Sequence, residues 1–248
     1  MKILVVLPAY NEAENLPPIF EGLRAIIDDT YNLDLSVILV DDGSTDDTTA
    51  VAKATATRLA IDLQPLVNEK NLGLAATFVR GMKIAAEAAG DADIVVCMDA
   101  DNTHVPGSVL SMIRNIAEGR DVVTASRYQP GSVTRGVPLF RRFLSRGMSV
   151  LFRSIYPIPG VRDYSCGYRA YRASMLKQLF QAEGEVLFAS DGFSCMVRIL
   201  LKLHKQGAIC GEVPMVLRYD EKAGASKMAI GSTVARTLSV LLSERFSD

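Results

Sequence analysis

The sequence predicts an α/β protein: a mostly parallel central sheet with helices packed on its faces. Three observations lead there. Short apolar, β-branched runs recur at Ile3 to Leu7, Leu35 to Val40 and Ile94 to Val96, as strands buried on both faces read. Helical apolar spacing fills the intervals between them, the alternation expected of a doubly wound sheet. Each of these runs also ends in a polar or turn-forming residue, at Pro8, Asp41 and Asp99, and ligands on such sheets bind beyond the carboxyl ends of the strands.

Taken in order, Ile3 to Leu7 is a first strand and lacks the long apolar stretch of a signal peptide. After Pro8, Leu16, Ile19, Phe20, Leu23, Ile26 and Ile27 fall at helical spacing, so a helix begins near Ala13. Leu35 to Val40 runs into DDGSTDDT, which supplies turn residues and a helix start for Thr49 to Ala60. Leu63 to Val67 is a third strand, and the stretch from Asn71 to Ala89 is a glycine-containing loop entering an alanine-rich helix. The strand at Ile94 continues through Cys97 and Met98, and Val122 to Ser126 is a further one. Helical patterns cover Gly192 to Lys205 and the end of the chain, through Val234, Leu238, Leu241 and Leu242. With 248 residues, 49% of them hydrophobic, and no repeat or linker, one domain over residues 1–227 with a C-terminal amphipathic helix over 228–248 accounts for the chain.

Charge is unevenly shared. The net charge is −1, yet residues 1–125 carry −10 and residues 126–248 carry +9. From Arg135 to Arg153 five arginines interleave with Leu139, Phe140, Phe143, Leu144, Met148, Leu151 and Phe152, and no acidic residue intervenes. A helix of that composition suits a lipid interface, although a partner helix or the protein's own core would also cover it. No apolar run approaches the ~20 residues of a membrane span. Cys97, Cys166, Cys195 and Cys210 show no CxxC spacing, which points to a reducing cytoplasm and to neither a disulfide framework nor a zinc site.

Asp99 and Asp101 are the candidate chemistry. Positions i and i+2 of an extended chain point the same way, so two carboxylates could meet just past a sheet edge. Such a pair holds a hard divalent cation whose other ligands are substrate phosphates and water. The same residues also suit a plain polar turn, with Asp101 and Asn102 closing the strand.

Six segments, Pro8 to Glu12, Asp41 to Asp46, Asn71 to Gly73, Asp99 to Asp101, Ser126 to Tyr128 and Asp163 to Arg169, together resemble family 2 glycosyltransferases of the GT-A fold. Their pattern is that of the dolichol- or polyprenol-phosphate mannose synthases. The resemblance implies a single Rossmann-like GT-A domain with amphipathic interfacial helices. It implies that Pro8, Tyr10, Glu12 and Asp42 hold the base and ribose of a sugar nucleotide, and that Asp99 and Asp101 carry Mg²⁺ or Mn²⁺ on its diphosphate. Arg127 and Arg141 would meet an acceptor phosphate, and Ser226 and Lys227 would close over the diphosphate. Two departures stand out: Thr103 replaces a frequent glutamine two residues after the second metal aspartate, and Cys166 replaces a serine.

An inverting transfer of mannose from GDP-mannose to a polyprenyl or dolichyl phosphate follows from this resemblance, at the cytoplasmic face of a membrane and without nucleic acid. A lipid monophosphate, with a second pKa near ~6, needs positioning more than a base. A sugar hydroxyl would need one, and Asp163 is then the candidate. Alternatives keep the fold and change the donor to UDP-glucose or the acceptor to a hydroxyl; another class is a non-catalytic sugar-nucleotide sensor or membrane-peripheral scaffold. A dinucleotide oxidoreductase is disfavoured, because no GxGxxG follows the first strand.

Overall fold

The computed structural model describes residues 1–184, 192–221 and 230–246. Strands β1 (Lys2–Ala9), β2 (Asp34–Asp41), β3 (Asp62–Val67), β4 (Ile94–Cys97) and β5 (Val122–Ser126) occupy the five apolar runs expected to be strands. With β7 (Arg169–Arg172) and β8 (Cys210–Pro214) they form one sheet in the order β3-β2-β1-β4-β7-β5-β8. All neighbours pair in parallel except β7, which runs antiparallel to both β4 and β5. A second sheet pairs β6 (Val133–Arg135) with β9 (Val216–Arg218) in parallel.

The period of two along β1 sorts its side chains between two cores. Leu4 and Val6 face one layer with α3 (Leu74–Ala88), α6 (Ala173–Glu183) and α7 (Cys195–Lys205). Ile3, Val5 and Leu7 face the other, with α1 (Leu16–Asp29), α2 (Thr48–Arg58) and α4 (Ser108–Ala117). Helices on both faces bury β1, β2, β4 and β5 almost completely, which is why these runs are almost uninterruptedly apolar, whereas the edge strand β3 is half exposed.

Several elements escape the periodicity. α4 and α6 are short, and β6 to β9 are three to five residues each, too brief to show a period. Strand β7 reads RAYR, with a buried arginine where an apolar residue would mark a central strand. The Arg169 guanidinium is satisfied internally, donating to Thr124 Oγ1 at 3.1 Å and to the Met196 and Tyr164 carbonyls.

The basic helix is α5 (Leu139–Ile155), and only Ser149 and Phe152 of it are buried. The C-terminal helix, α8 (Ile230–Phe246), differs from the expected amphipathic appendage. Val240 and Leu241 are buried, Leu241 in the same core as α7, and Glu244 is buried against Arg198 of α7 at 2.7 Å. Ser194 and Thr237 share a hydrogen bond of 2.8 Å across the same contact. Among the described residues, α8 therefore helps to close the core.

Gly81 shows how tightly α3 lies on the sheet. A Cβ there would sit 2.5 Å from Val6 Cγ1 and 2.9 Å from Val40 Cγ2. Alanine would gain about 1 kcal/mol in helix propensity but meet an overpacking cost of about 1–3 kcal/mol. Gly81→Ala is therefore expected to lower the thermal unfolding midpoint by a few degrees, roughly 2–4 °C per kcal/mol at this size, measured by calorimetry.

Candidate functional site

The carboxyl ends of β1, β2 and β4 open into one cavity of about 650 Å³. Pro8, Tyr10, Glu12, Asp42, Asp99 and Asp101, all singled out in the sequence, line it together. Arg127 and Arg141 line it as well, at its far side.

Two loops form the wall at β1 and β2, and they are latched to each other. Asn11 adopts φ +55° and its Oδ1 accepts from the Thr45 backbone N–H at 2.8 Å; Ser44 Oγ accepts from the Asn11 N–H at 2.9 Å, and Thr48 Oγ1 from the Glu12 N–H at 2.9 Å. Asn tolerates this left-handed backbone better than most residues. Asp42 is buried and takes hydrogen bonds from Asn68 Nδ2 at 2.8 Å and from the backbone N–H groups of Leu72 and Gly73 at 2.8 and 2.9 Å. Its carboxylate thus shapes the Asn71 to Gly73 loop as well as facing the cavity. Between these loops, Gly43 has φ +71° with a would-be Cβ 2.8 Å from the Lys70 carbonyl carbon, so no side chain fits.

At β4 the polar turn of Asp-x-Asp is formed. Asn102 adopts φ +58°, and Asp101 Oδ1 accepts from the Thr103 N–H at 3.2 Å and its hydroxyl at 2.7 Å, which is a tight polar turn. The turn nevertheless leaves both aspartates on the cavity wall. Thr103, at the position of the frequent glutamine, spends its hydroxyl on orienting Asp101. His104 does the same for Asp99: its Nδ1 accepts the Asp99 N–H at 3.1 Å, which leaves the proton on Nε2, 3.6 Å from Asp99 Oδ2. The ring stacks on Tyr168 at 4.9 Å and is buried. Among the described residues no cluster of three or more His, Cys, Asp or Glu could hold a metal ion. A cation on Asp99 and Asp101 would complete its shell with ligand oxygens, as hard divalent ions do.

Asp163 is placed differently from a general base. Its side chain is buried, and both oxygens are taken by Arg127: Nε at 2.7 Å and Nη2 at 2.6 Å, with the Arg127 N–H adding a third bond at 3.1 Å. Burial alone would raise its pKa, but the Arg127 guanidinium overrides this and holds the carboxyl below its ordinary range. Arg127 is likewise held more firmly protonated, since the carboxylate outweighs the cost of its own burial. Arg127 Nη2 also donates to Ser165 Oγ at 2.7 Å. The sequence marks Arg127 and Asp163 separately; 36 residues apart, nothing in it joins them as an ion pair. Cys166 is buried, and burial followed by the Asp163 charge pushes its thiol up to about 12, so it is uncharged at neutral pH.

A second cavity, of about 300 Å³, lies under α5 and was not anticipated. It meets the first at Arg127, Arg141, Ser165, Leu217 and Tyr219, which line both. Arg141 Nη1 donates to Tyr219 Oη at 3.0 Å, joining α5 to the stretch after β9. Four arginines, Arg127, Arg141, Arg142 and Arg146, line this second cavity, and among the described residues no acidic one does. Outside it, Leu139, Phe140, Phe143, Val150 and Leu151 are exposed along α5, Phe140 by 73% and Phe143 by 71%. No helix among the described residues is long and apolar enough to cross a membrane. Ser226 and Lys227 lie outside the described residues.

The chain is similar to known proteins. The family model described as glycosyl transferase family 2 matches residues 4–180. A polyprenol monophosphomannose synthase of Mycolicibacterium smegmatis is 28% identical over 96% of this chain and 84% of its own. A dolichol-phosphate mannosyltransferase of Pyrococcus furiosus is 32% identical over 82% of this chain, which spans only 53% of that protein's length. Among solved structures, glucosyl-3-phosphoglycerate synthase of Mycobacterium tuberculosis, determined with Mn²⁺, UDP and phosphoglyceric acid, superposes over 100% of this chain and 79% of its own, with a TM-score of 0.69 at 21% identity. That likeness is one of fold.

The buried pair gives a pH-dependent prediction. Asp163→Asn leaves Arg127 without its counter-charge and is expected to cost roughly 3 kcal/mol at pH 7. Because the native carboxyl titrates below the unfolded value, this contribution is complete above about pH 4 and disappears as pH falls through the native pKa. Denaturant melts of both proteins at pH 7 and pH 3 should show the gap narrowing in acid.

Proposed function

Because this chain belongs to glycosyl transferase family 2, we propose that it is an inverting transferase that moves mannose from GDP-mannose to a polyprenyl or dolichyl phosphate at a membrane surface. The observation that carries this reading is the junction between the two cavities. A hydroxyl acceptor needs a base, and Asp163, the candidate for that role, is buried and bound to Arg127. A phosphate monoester is already largely dianionic at neutral pH, with a second pKa near ~6, and needs cations instead. The arginine-lined second cavity offers them.

In this reading Pro8, Tyr10, Glu12 and Asp42 receive the nucleoside, Tyr10 by its ring face and the carboxylates by accepting from base and ribose donors. The donor set fits a divalent cation: two carboxylates, each oriented by a neighbour, facing a cavity with room for a diphosphate. Asp99 and Asp101 would hold Mg²⁺ or Mn²⁺, which supplies relief of charge on the departing diphosphate. Arg127 presents a fixed guanidinium to the acceptor phosphate, and Arg141 reaches the same point from α5. Ser226 and Lys227 are assigned to the diphosphate by resemblance alone. The relatives' names support the lipid-phosphate acceptor and mannose; UDP-glucose remains the donor to compare against, given the fold shared with a UDP-binding synthase.

In this reading the protein sits peripherally on the cytoplasmic leaflet, with phenylalanines in the interface and arginines near anionic headgroups; the exposed apolar and cationic face of α5 supports it.

The direct assay incubates the protein with GDP-mannose or UDP-glucose, Mn²⁺ or Mg²⁺, and a short polyprenyl phosphate. Mannosyl transfer to the lipid phosphate is expected, abolished by a chelator, and reduced by roughly 10²–10³ in Asp101→Ala; transfer only to a soluble sugar hydroxyl would overturn the assignment. Sedimentation with anionic vesicles tests α5. Since a buried phenylalanine contributes about 1.5–3 kcal/mol, the double change Phe140→Ser and Phe143→Ser should weaken vesicle binding at least about tenfold while leaving turnover on a water-soluble acceptor unchanged.

A further inference from the structure

Arg127 can present one orientation to a phosphate only if Asp163 is itself fixed, and the backbone around Asp163 offers no ladder to do it. Residues 156–168, between α5 and β7, contain neither helix nor strand. Ser149 Oγ donates to the Arg162 carbonyl at 2.6 Å and the Cys166 N–H to Asp163 Oδ1 at 3.2 Å, and at Asp163's own backbone the hold comes from Glu212 of β8: its Oε1 accepts the backbone N–H of Arg162 at 2.6 Å and that of Asp163 at 2.5 Å. β8 pairs in parallel with β5, with Thr124 opposite Glu212 and Ser126 opposite Pro214, so the edge strand delivers this carboxylate beside the strand that runs into Arg127. Glu212 lines neither cavity.

We propose that Glu212 is a positioning residue for the acceptor-phosphate site, clamping the Arg162 and Asp163 amides so that Asp163 holds Arg127 in a single geometry at the cavity junction. The proposal extends the reading of Arg127 as the acceptor-phosphate cation. Burial raises the Glu212 pKa, the two amides and the Ser126 side chain offset part of that rise, and the nearby Asp163 charge adds a smaller push upward. A carboxylate kept in that surrounding is there for its acceptor oxygen, and a glutamine carbonyl supplies the same oxygen without the charge.

The test compares full-length Glu212→Ala and Glu212→Gln. The first readout needs no substrate: the Arg127 Nε–H resonance in ¹⁵N NMR, assigned by its absence in Arg127→Lys. It is expected to exchange with solvent at least about tenfold faster in Glu212→Ala than in wild type, as one protecting bond loosens, while Glu212→Gln stays close to wild type. The second is steady-state kinetics with the polyprenyl phosphate and sugar-nucleotide donor. Glu212→Ala should raise the acceptor KM at least about tenfold with the donor KM within about twofold, and glutamine should restore it. Unchanged exchange in Glu212→Ala, equal damage to donor and acceptor, or failure of glutamine to rescue would each overturn the clamp. If exchange responds as expected but the acceptor KM of Arg127→Ala equals that of wild type, the clamp stands as architecture and the phosphate role of Arg127 falls.

Discussion

The molecule turns on one buried ion pair, Arg127 with Asp163. A guanidinium facing two cavities would in water sample many rotamers, and a phosphate would have to order it on binding. Here a bidentate carboxylate, Ser165 and the protein interior have already removed that freedom. The cost is the desolvation of both charges, which the geometry repays only because every oxygen of Asp163 is hydrogen-bonded. The neighbouring segments follow from this need: an irregular loop to carry Asp163, an edge strand to brace the loop, and β5 to bring Arg127 alongside.

The opposite side of the site solves a different problem. Carboxylates there must point in fixed directions toward a ligand. The Thr103 hydroxyl orients Asp101 and His104 holds the Asp99 backbone from within the same turn, while Asp42 is braced by Asn68 and by the loop that it shapes. Asp99 and Asp101 are therefore set by residues near them in sequence, whereas Asp42, like Arg127, depends on partners brought in from well along the chain.

Only the local part of this architecture is legible in the sequence. The strands up to β5 and the carboxylates at their ends are local signals, runs of β-branched residues closed by turn formers, and they were legible. The convergence of Pro8, Asp42 and Asp99 on one cavity followed from parallel pairing alone. The pairing of Asp163 with Arg127 is not legible, because the partner lies 36 residues away and spacing does not reveal such neighbours. β7 was unreadable because its buried Arg169 breaks the apolar pattern of a central strand. The second cavity arises where α5 crosses the β6–β9 pair, strands of three residues each that leave no periodic trace. The C-terminal helix kept its pattern in sequence, but which side its leucines faced was a matter of packing.

The reversed strand β7 has a consequence for how the chain comes to be folded. β1 to β4 lie next to one another within the first 97 residues and can zip together as a half sheet while the ribosome is still at work. β5 cannot join them, because its place beside β4 belongs to a strand that is made some forty residues later. Until Arg169 to Arg172 emerge, β4 is an open edge flanked by buried-type side chains, the kind of surface that invites pairing with another copy. The two walls of the site are thus born separately, and the last piece threaded between them is the one that makes the pair into an enzyme.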